Sequence, residues 1–178
     1  MKNIVLLELN EINFEAVNFY IERGESLPGF KILIKQGIVN TQAESKYENL
    51  EPWVQWPSVH TGKTFEEHNV FRLGDFVNSS EEQFFEQVEK AGFSVGAISP
   101  MNASNRLENS AYFIPDPWTQ TPSDKSFFSK SITEAIRQAV NDNSQSKLTF
   151  KTIFSLGLAF IALVRPTRYI PMIKYALN

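Results

Sequence analysis

The stretch Ile4-Val5-Leu6-Leu7-Glu8-Leu9-Asn10-Glu11-Ile12-Asn13 decides the fold class. Residues 4–9 are apolar except at Glu8 and bounded by polar residues, which suits a buried strand of a parallel sheet better than a helix of that length. Asn13 can then cap a helix whose apolar positions Phe14, Val17 and Ile21 lie three and four apart, and Gly24 stops it. A second helix opens at Pro28, carries Phe30, Leu33 and Ile34 on one face and ends at Gly37, after which residues 38–41 read as another strand. Ser80 and Gln83 make a capping-box pattern before Phe84, Phe85 and Val88, Gly92 closes that helix, and residues 93–99 read as the third strand. Strands separated by helices predict an α/β fold with a parallel sheet, whose ligands gather at the carboxyl ends of the strands. That places interest on residues 8–11, on the loop after Gln42 and on the loop after Ser99.

The composition is consistent with this reading and removes several function classes. A chain of 178 residues is long enough for one α/β domain with a sizeable core. With 42% apolar and 21% charged residues it is neither disordered nor a polytopic membrane protein. A formal charge of −3 supplies no general field for a phosphate backbone, so nucleic acid is not an expected partner. The absence of cysteine excludes disulfides, thiol nucleophiles and Cys-based metal sites, and His60 and His68 are the only histidines, so a metal here would rely mostly on oxygen ligands or on residues from elsewhere. The apolar run after Lys2 is broken at Glu8 and is too short for a secretory leader, so a cytoplasmic location is expected. Fifteen Phe, five Tyr and three Trp are a large aromatic payload for this length.

Residues 100–125 turn to Pro, Asn, Ser, Thr and Trp, a long irregular connection of the functional or mobile kind. Residues 126–141 are helical by pattern, with Phe127, Phe128, Ile132, Ala135, Ile136 and Val140 on one stripe, and residues 141–145 read as a linker. Residues 152–164 carry no charge and are bracketed by Lys147, Lys151, Arg165 and Arg168. They fall short of the roughly 20 residues needed to cross a bilayer. A helix against protein, a helix in a membrane interface and a span all stay open for them. The expected organisation is an α/β core over residues 1–125 and a helical extension over 126–178.

Two constellations bear on chemistry. Asn10 and Glu11, just past the first predicted strand, sit where an α/β enzyme can hold a hard divalent cation; the same residues also serve as turn and cap. The second is Glu51-Pro52-Trp53-Val54-Gln55-Trp56-Pro57-Ser58-Val59-His60-Thr61-Gly62, followed by His68-Asn69-Val70. Ser58 and Thr61, with Gly62 closing the turn and His60 beside them, can present a nucleophile at a helix start, or can belong to an ordinary capped helix with His60 packed or hydrogen-bonded. Trp53, Trp56 and Trp118 also allow a sugar-binding platform.

In order and spacing these stretches resemble the alkaline phosphatase superfamily, in its type I phosphodiesterase and nucleotide pyrophosphatase branch. The similarity covers roughly the first 120 residues. Thr61-Gly62 and His68-Asn69-Val70 keep the family's register, in which a His follows the Gly by six residues, and residues 93–100 resemble its next strand. The resemblance implies an alkaline phosphatase-like core and a metal-dependent phosphoric or sulfuric ester hydrolase. It further implies a divalent Zn or Mn at Asn10 and Glu11, with Ser58 or Thr61 catalytic and Gln55 and His60 contacting substrate. The sequence departs from the family at two places. Asn10 stands where the family has a metal-binding Asp, and the gap-free register puts Pro57 at the nucleophile position, with Ser58 adjacent. No His follows His68, so the later Asp-His and His ligands of the family have no counterpart. The expectation is an incomplete core, the alternative being a non-catalytic remnant that associates with a partner or a membrane surface.

Overall fold

The computed structural model describes residues 4–143 and 150–176. The fold is mixed α/β and divides into two compact units, Met1–Ser45 and Lys46–Asn178.

The first unit holds α1 (Phe14–Glu22) and α2 (Pro28–Gln36). The Asn13 side chain accepts the Ala16 N–H at 2.9 Å, as its type at that position predicts. Gly24 takes a left-handed φ of 84°, which lets its own N–H reach Ile21 C=O and the Glu25 N–H reach Tyr20 C=O, a Schellman ending. The two expected strands are different. Residues 4–9 and 38–41 have no ladder partner among the described residues, and Ile4 and Val39 are 92% and 89% exposed. An apolar run fixes an extended preference, whereas a strand needs a neighbour to take its N–H and C=O groups.

The second unit begins with α3 (Pro52–Thr61) and the short α4 (Phe65–His68), followed by α5 (Phe84–Lys90). The box at α5 is formed by Gln83 and Glu86, three residues later than the Ser80 and Gln83 pattern: the Gln83 N–H and its Nε2 donate to the two Glu86 carboxylate oxygens at 2.6 and 3.0 Å. Gly92 and Phe93 repeat the Schellman ending on Glu89 and Val88. Because Phe93 is spent on that closure, the strand expected at 93–99 shortens to β1 (Gly96–Ile98), which pairs in parallel with β2 (Tyr112–Ile114), Gly96 opposite Tyr112. The Tyr112 ring lies over Gly96, so a Cβ there would push this exposed ring aside.

The connection over residues 100–125 is built into the core. Asn102, Ala103, Ser104, Phe113, Ile114, Asp116, Thr119 and Thr121 are all buried. Asp116 organises the turn by accepting from Asn102 N–H, Trp118 N–H, Thr119 N–H and the Thr119 hydroxyl at 2.9–3.0 Å. Phe113 sits with Phe85, Val95, Ala97 and Ala103 in one apolar cluster. The remaining helices are α6 (Phe127–Asn143), α7 (Phe150–Leu163) and α8 (Tyr169–Ala176). Helix α6 packs on β2 as well as on α7, so the helical stretch after residue 125 is continuous with the α/β segment. Residues 144–149, within and after the expected linker, lie outside the described residues. Among the described residues no helix is long and apolar enough to cross a membrane.

Asp124 ties the start of α6 to β2. Its carboxylate accepts the Phe113 N–H at 2.6 Å and the Ser126 N–H at 2.7 Å, while its own N–H donates to Phe113 C=O at 3.0 Å. Burial pushes this carboxyl up, but hydrogen bonds from the Ser126 and Ser129 hydroxyls and from the Phe113 and Ser126 amides outweigh it and bring the pKa down to about 2. A folded-state value below the unfolded one gives stability that is full above about pH 4 and is lost as pH falls toward the folded value. Asp124→Asn is therefore expected to cost roughly 1–2 kcal/mol at neutral pH and almost nothing near pH 2. Urea unfolding followed by Trp fluorescence checks this, and parallel pH profiles for the two proteins would refute it.

Candidate functional site

Helix α3 carries four of the residues singled out for chemistry, and its geometry follows from Pro57. Proline lacks an N–H, so the carbonyl of Trp53, four residues earlier, has no intrahelical donor. Asn102 supplies one: its Nδ2 donates to Trp53 C=O at 2.7 Å and to Arg72 C=O at 3.2 Å. Its Oδ1 accepts the Gly74 N–H at 2.8 Å, and its own N–H is held by Asp116 at 3.0 Å. One buried amide thus fastens α3 to two loops. A φ of 50° at Asn102 is a conformation that Asn tolerates better than most residues.

At the other end of α3 the chain turns sharply. Gly62, with a left-handed φ of 70°, ends the helix by donating to Ser58 C=O at 2.8 Å. Thr64 and Glu67 then form a reciprocal capping box at α4. Hydrogen bonds from the Thr64 amide and hydroxyl hold the Glu67 carboxyl below its ordinary range. This turn brings His68 back onto α3, with Ser58 Oγ 2.9 Å from His68 Nε2.

The direction of that hydrogen bond follows from the other ring nitrogen. The Val70 N–H donates to His68 Nδ1 at 3.0 Å. An amide only donates, so Nδ1 is the bare nitrogen and the neutral ring carries its proton on Nε2. His68 therefore donates to Ser58 Oγ and cannot take the serine proton while this contact stands. An N–H aimed at Oγ orients the hydroxyl and stabilises negative charge developing on that oxygen.

The other expected residues have different surroundings. The Thr61 hydroxyl donates to Pro57 C=O at 2.7 Å and accepts the Lys63 N–H at 3.2 Å, so both of its roles are given to backbone. Gln55 Nε2 donates to Leu50 C=O at 2.5 Å. His60 is buried among the rings of Trp56, Phe84 and Phe85, with centroids 6.0, 5.9 and 5.2 Å away. Of the three tryptophans, Trp118 is exposed, while Trp56 is stacked on His60.

Asn10 and Glu11 belong to the first unit, where Glu11 adopts a left-handed φ of 57° at the turn before α1. Among the described residues no group of three or more His, Asp or Glu side chains gathers to hold a metal ion. The Asn10 amide brings no charge either. Of the Zn or Mn site that the resemblance implies, Asn10 and Glu11 would supply one amide oxygen and one carboxylate.

No protein-family model, no curated protein and no solved structure matches the chain. The pairing of His68 with Ser58 and the anchoring of α3 by Asn102 are the two features of the site that the residue pattern does not give. The Thr64-Phe65-Glu66-Glu67 box was a visible signal for the first, since it foretells a short helix that reverses the chain at His68.

Proposed function

We propose that this chain is the core segment of a phosphoric or sulfuric ester hydrolase of the type I phosphodiesterase kind, with an alkaline phosphatase-like arrangement and a cytoplasmic location. The observation that supports this reading is the pairing of its two motif stretches, Ser58 Oγ lying 2.9 Å from His68 Nε2. In this reading Ser58 is the nucleophile. Its Oγ attacks the phosphorus or sulfur, the new O–P or O–S bond forms as the ester bond to the leaving oxygen breaks, and the serine proton passes to solvent on the side away from the imidazole. The His68 Nε2–H holds Oγ in place and steadies the charge it gains. Water then hydrolyses the covalent intermediate. Thr61 takes no part, since its hydroxyl is bound to the backbone at both ends.

The test is turnover of a chromogenic phosphodiester or sulfate ester by the purified chain, with manganese or zinc supplied. Ser58→Ala should lower the rate by about 1,000-fold or more, as loss of a nucleophile does. Thr61→Ala should stay within about tenfold of the parent. Turnover no higher than the metal-only blank, or a Ser58→Ala variant as fast as the parent, would remove the reading.

A further inference from the structure

We propose that the corner formed by α7 and α8 is a docking surface for an anionic lipid bilayer, on which these helices lie in the headgroup region without crossing it. The first ground is an apolar stripe. On α7 the exposed side chains are Phe150 (84% exposed), Ile153, Phe154 and Ile161, with the exposed Gly157 among them. They recur at the three- and four-residue spacing of one helix face, and α7 packs on α6 elsewhere. On α8, Ile170 and Ile173 are exposed on one face, and Met172 and Tyr175, the last 88% exposed, on the opposite one.

The second ground is charge. Residues 143–178 hold five Lys and Arg and no Asp or Glu, whereas the 142 residues before them hold twelve Lys and Arg against twenty Asp and Glu. Arg165 and Arg168 are exposed at the corner, and Lys174 is exposed on α8. The corner is pinned: the Tyr169 hydroxyl donates to Ile161 C=O at 2.8 Å, its ring lies 5.2 Å from that of Phe160, and the Arg168 N–H donates to Arg165 C=O at 2.8 Å. Arg165 and Arg168 are therefore held between two apolar helices.

This chemistry has the layering of a bilayer surface. An apolar stripe sinks to the acyl boundary while cations at its ends meet anionic headgroups. A helix of 14 residues spans about 21 Å, short of the roughly 30 Å hydrocarbon core. The acidic remainder of the chain is repelled by the same surface, so the corner alone makes contact.

The test is co-sedimentation of the full chain with vesicles of phosphatidylcholine alone and of phosphatidylcholine mixed with phosphatidylserine. Binding is expected only to the mixed vesicles and should be reversed by about 1 M salt, where screening acts over about 3 Å. The triple variant Arg165→Glu, Arg168→Glu, Lys174→Glu should lose on the order of 100-fold in partitioning. Ile153→Asp with Phe154→Asp should lose as much, with far-UV circular dichroism unchanged in both. Equal binding to neutral vesicles, or binding that survives the triple charge reversal, would overturn the proposal. So would absence of vesicle binding together with self-association abolished by the Ile153→Asp, Phe154→Asp pair, which would make the face a protein–protein surface.

Discussion

Asn102→Ala is expected to destabilise the second unit by about 3–5 kcal/mol. The substitution leaves three backbone groups, Trp53 C=O, Arg72 C=O and Gly74 N–H, without the partner that now serves them. Each such buried group costs about 1–3 kcal/mol, less where water can re-enter the space. Alanine also bears the left-handed backbone at this position less well than asparagine does. Asn102→Asp is isosteric and leaves no cavity, but it turns a donor into an acceptor facing two carbonyls, so it should be at least as damaging. Because Trp53, Trp56 and Trp118 all lie in the second unit, their fluorescence during urea unfolding reads this unit alone. The link to Pro57 has its own check. In a Pro57→Ala background the new N–H can serve Trp53 C=O from within the helix, so Asn102→Ala should cost about 1 kcal/mol less there. Equal penalties in the two backgrounds would show that Asn102 does not compensate for the proline.

Phe113→Ala should cost about 3–5 kcal/mol for a different reason. The side chain is fully buried, and its ring meets Phe85 edge-on at 6.2 Å between centroids. Phe85 in turn lies against His60 at 5.2 Å, so the cavity would open under the end of α3. Phe113→Leu keeps most of the volume and should lose less than about 1.5 kcal/mol. If the two substitutions cost the same, packing volume is not what Phe113 contributes.

Local signals in the sequence were enough to define α1, α2, α6 and the end of α5. The Asn13 cap, Pro28 at a first turn, and Gly24 and Gly92 after last turns each act through atoms within a few residues, and the structure uses each as its type predicts. The stripe predicted over residues 126–141 became α6. Pairing was not legible, because residues 4–9 are apolar enough for a strand while nothing local says what would lie beside them. The buried polar hub was hidden for a related reason. Gln83, Asn102, Asp116 and Thr121 are types that usually face water, and each is buried only because atoms 14 to 49 positions away, or a turn closing over it, satisfy it. The candidate site was half legible. Ser58 stood out by type, but the direction of its bond with His68 depends on an amide at Val70 that no residue-type pattern encodes.

The proline in α3 also governs where the chain can change length. A helix whose bonds are all internal can gain a residue and rotate as a whole, by about 100° per residue. Here one rung is wired to a residue 49 positions away. An insertion between Trp53 and Pro57 would turn that carbonyl away from Asn102 while leaving the proline unable to replace it. Related chains that keep this wiring should therefore vary in length before Glu51 or after Gly62, and hold the four-residue step from Trp53 to Pro57 constant.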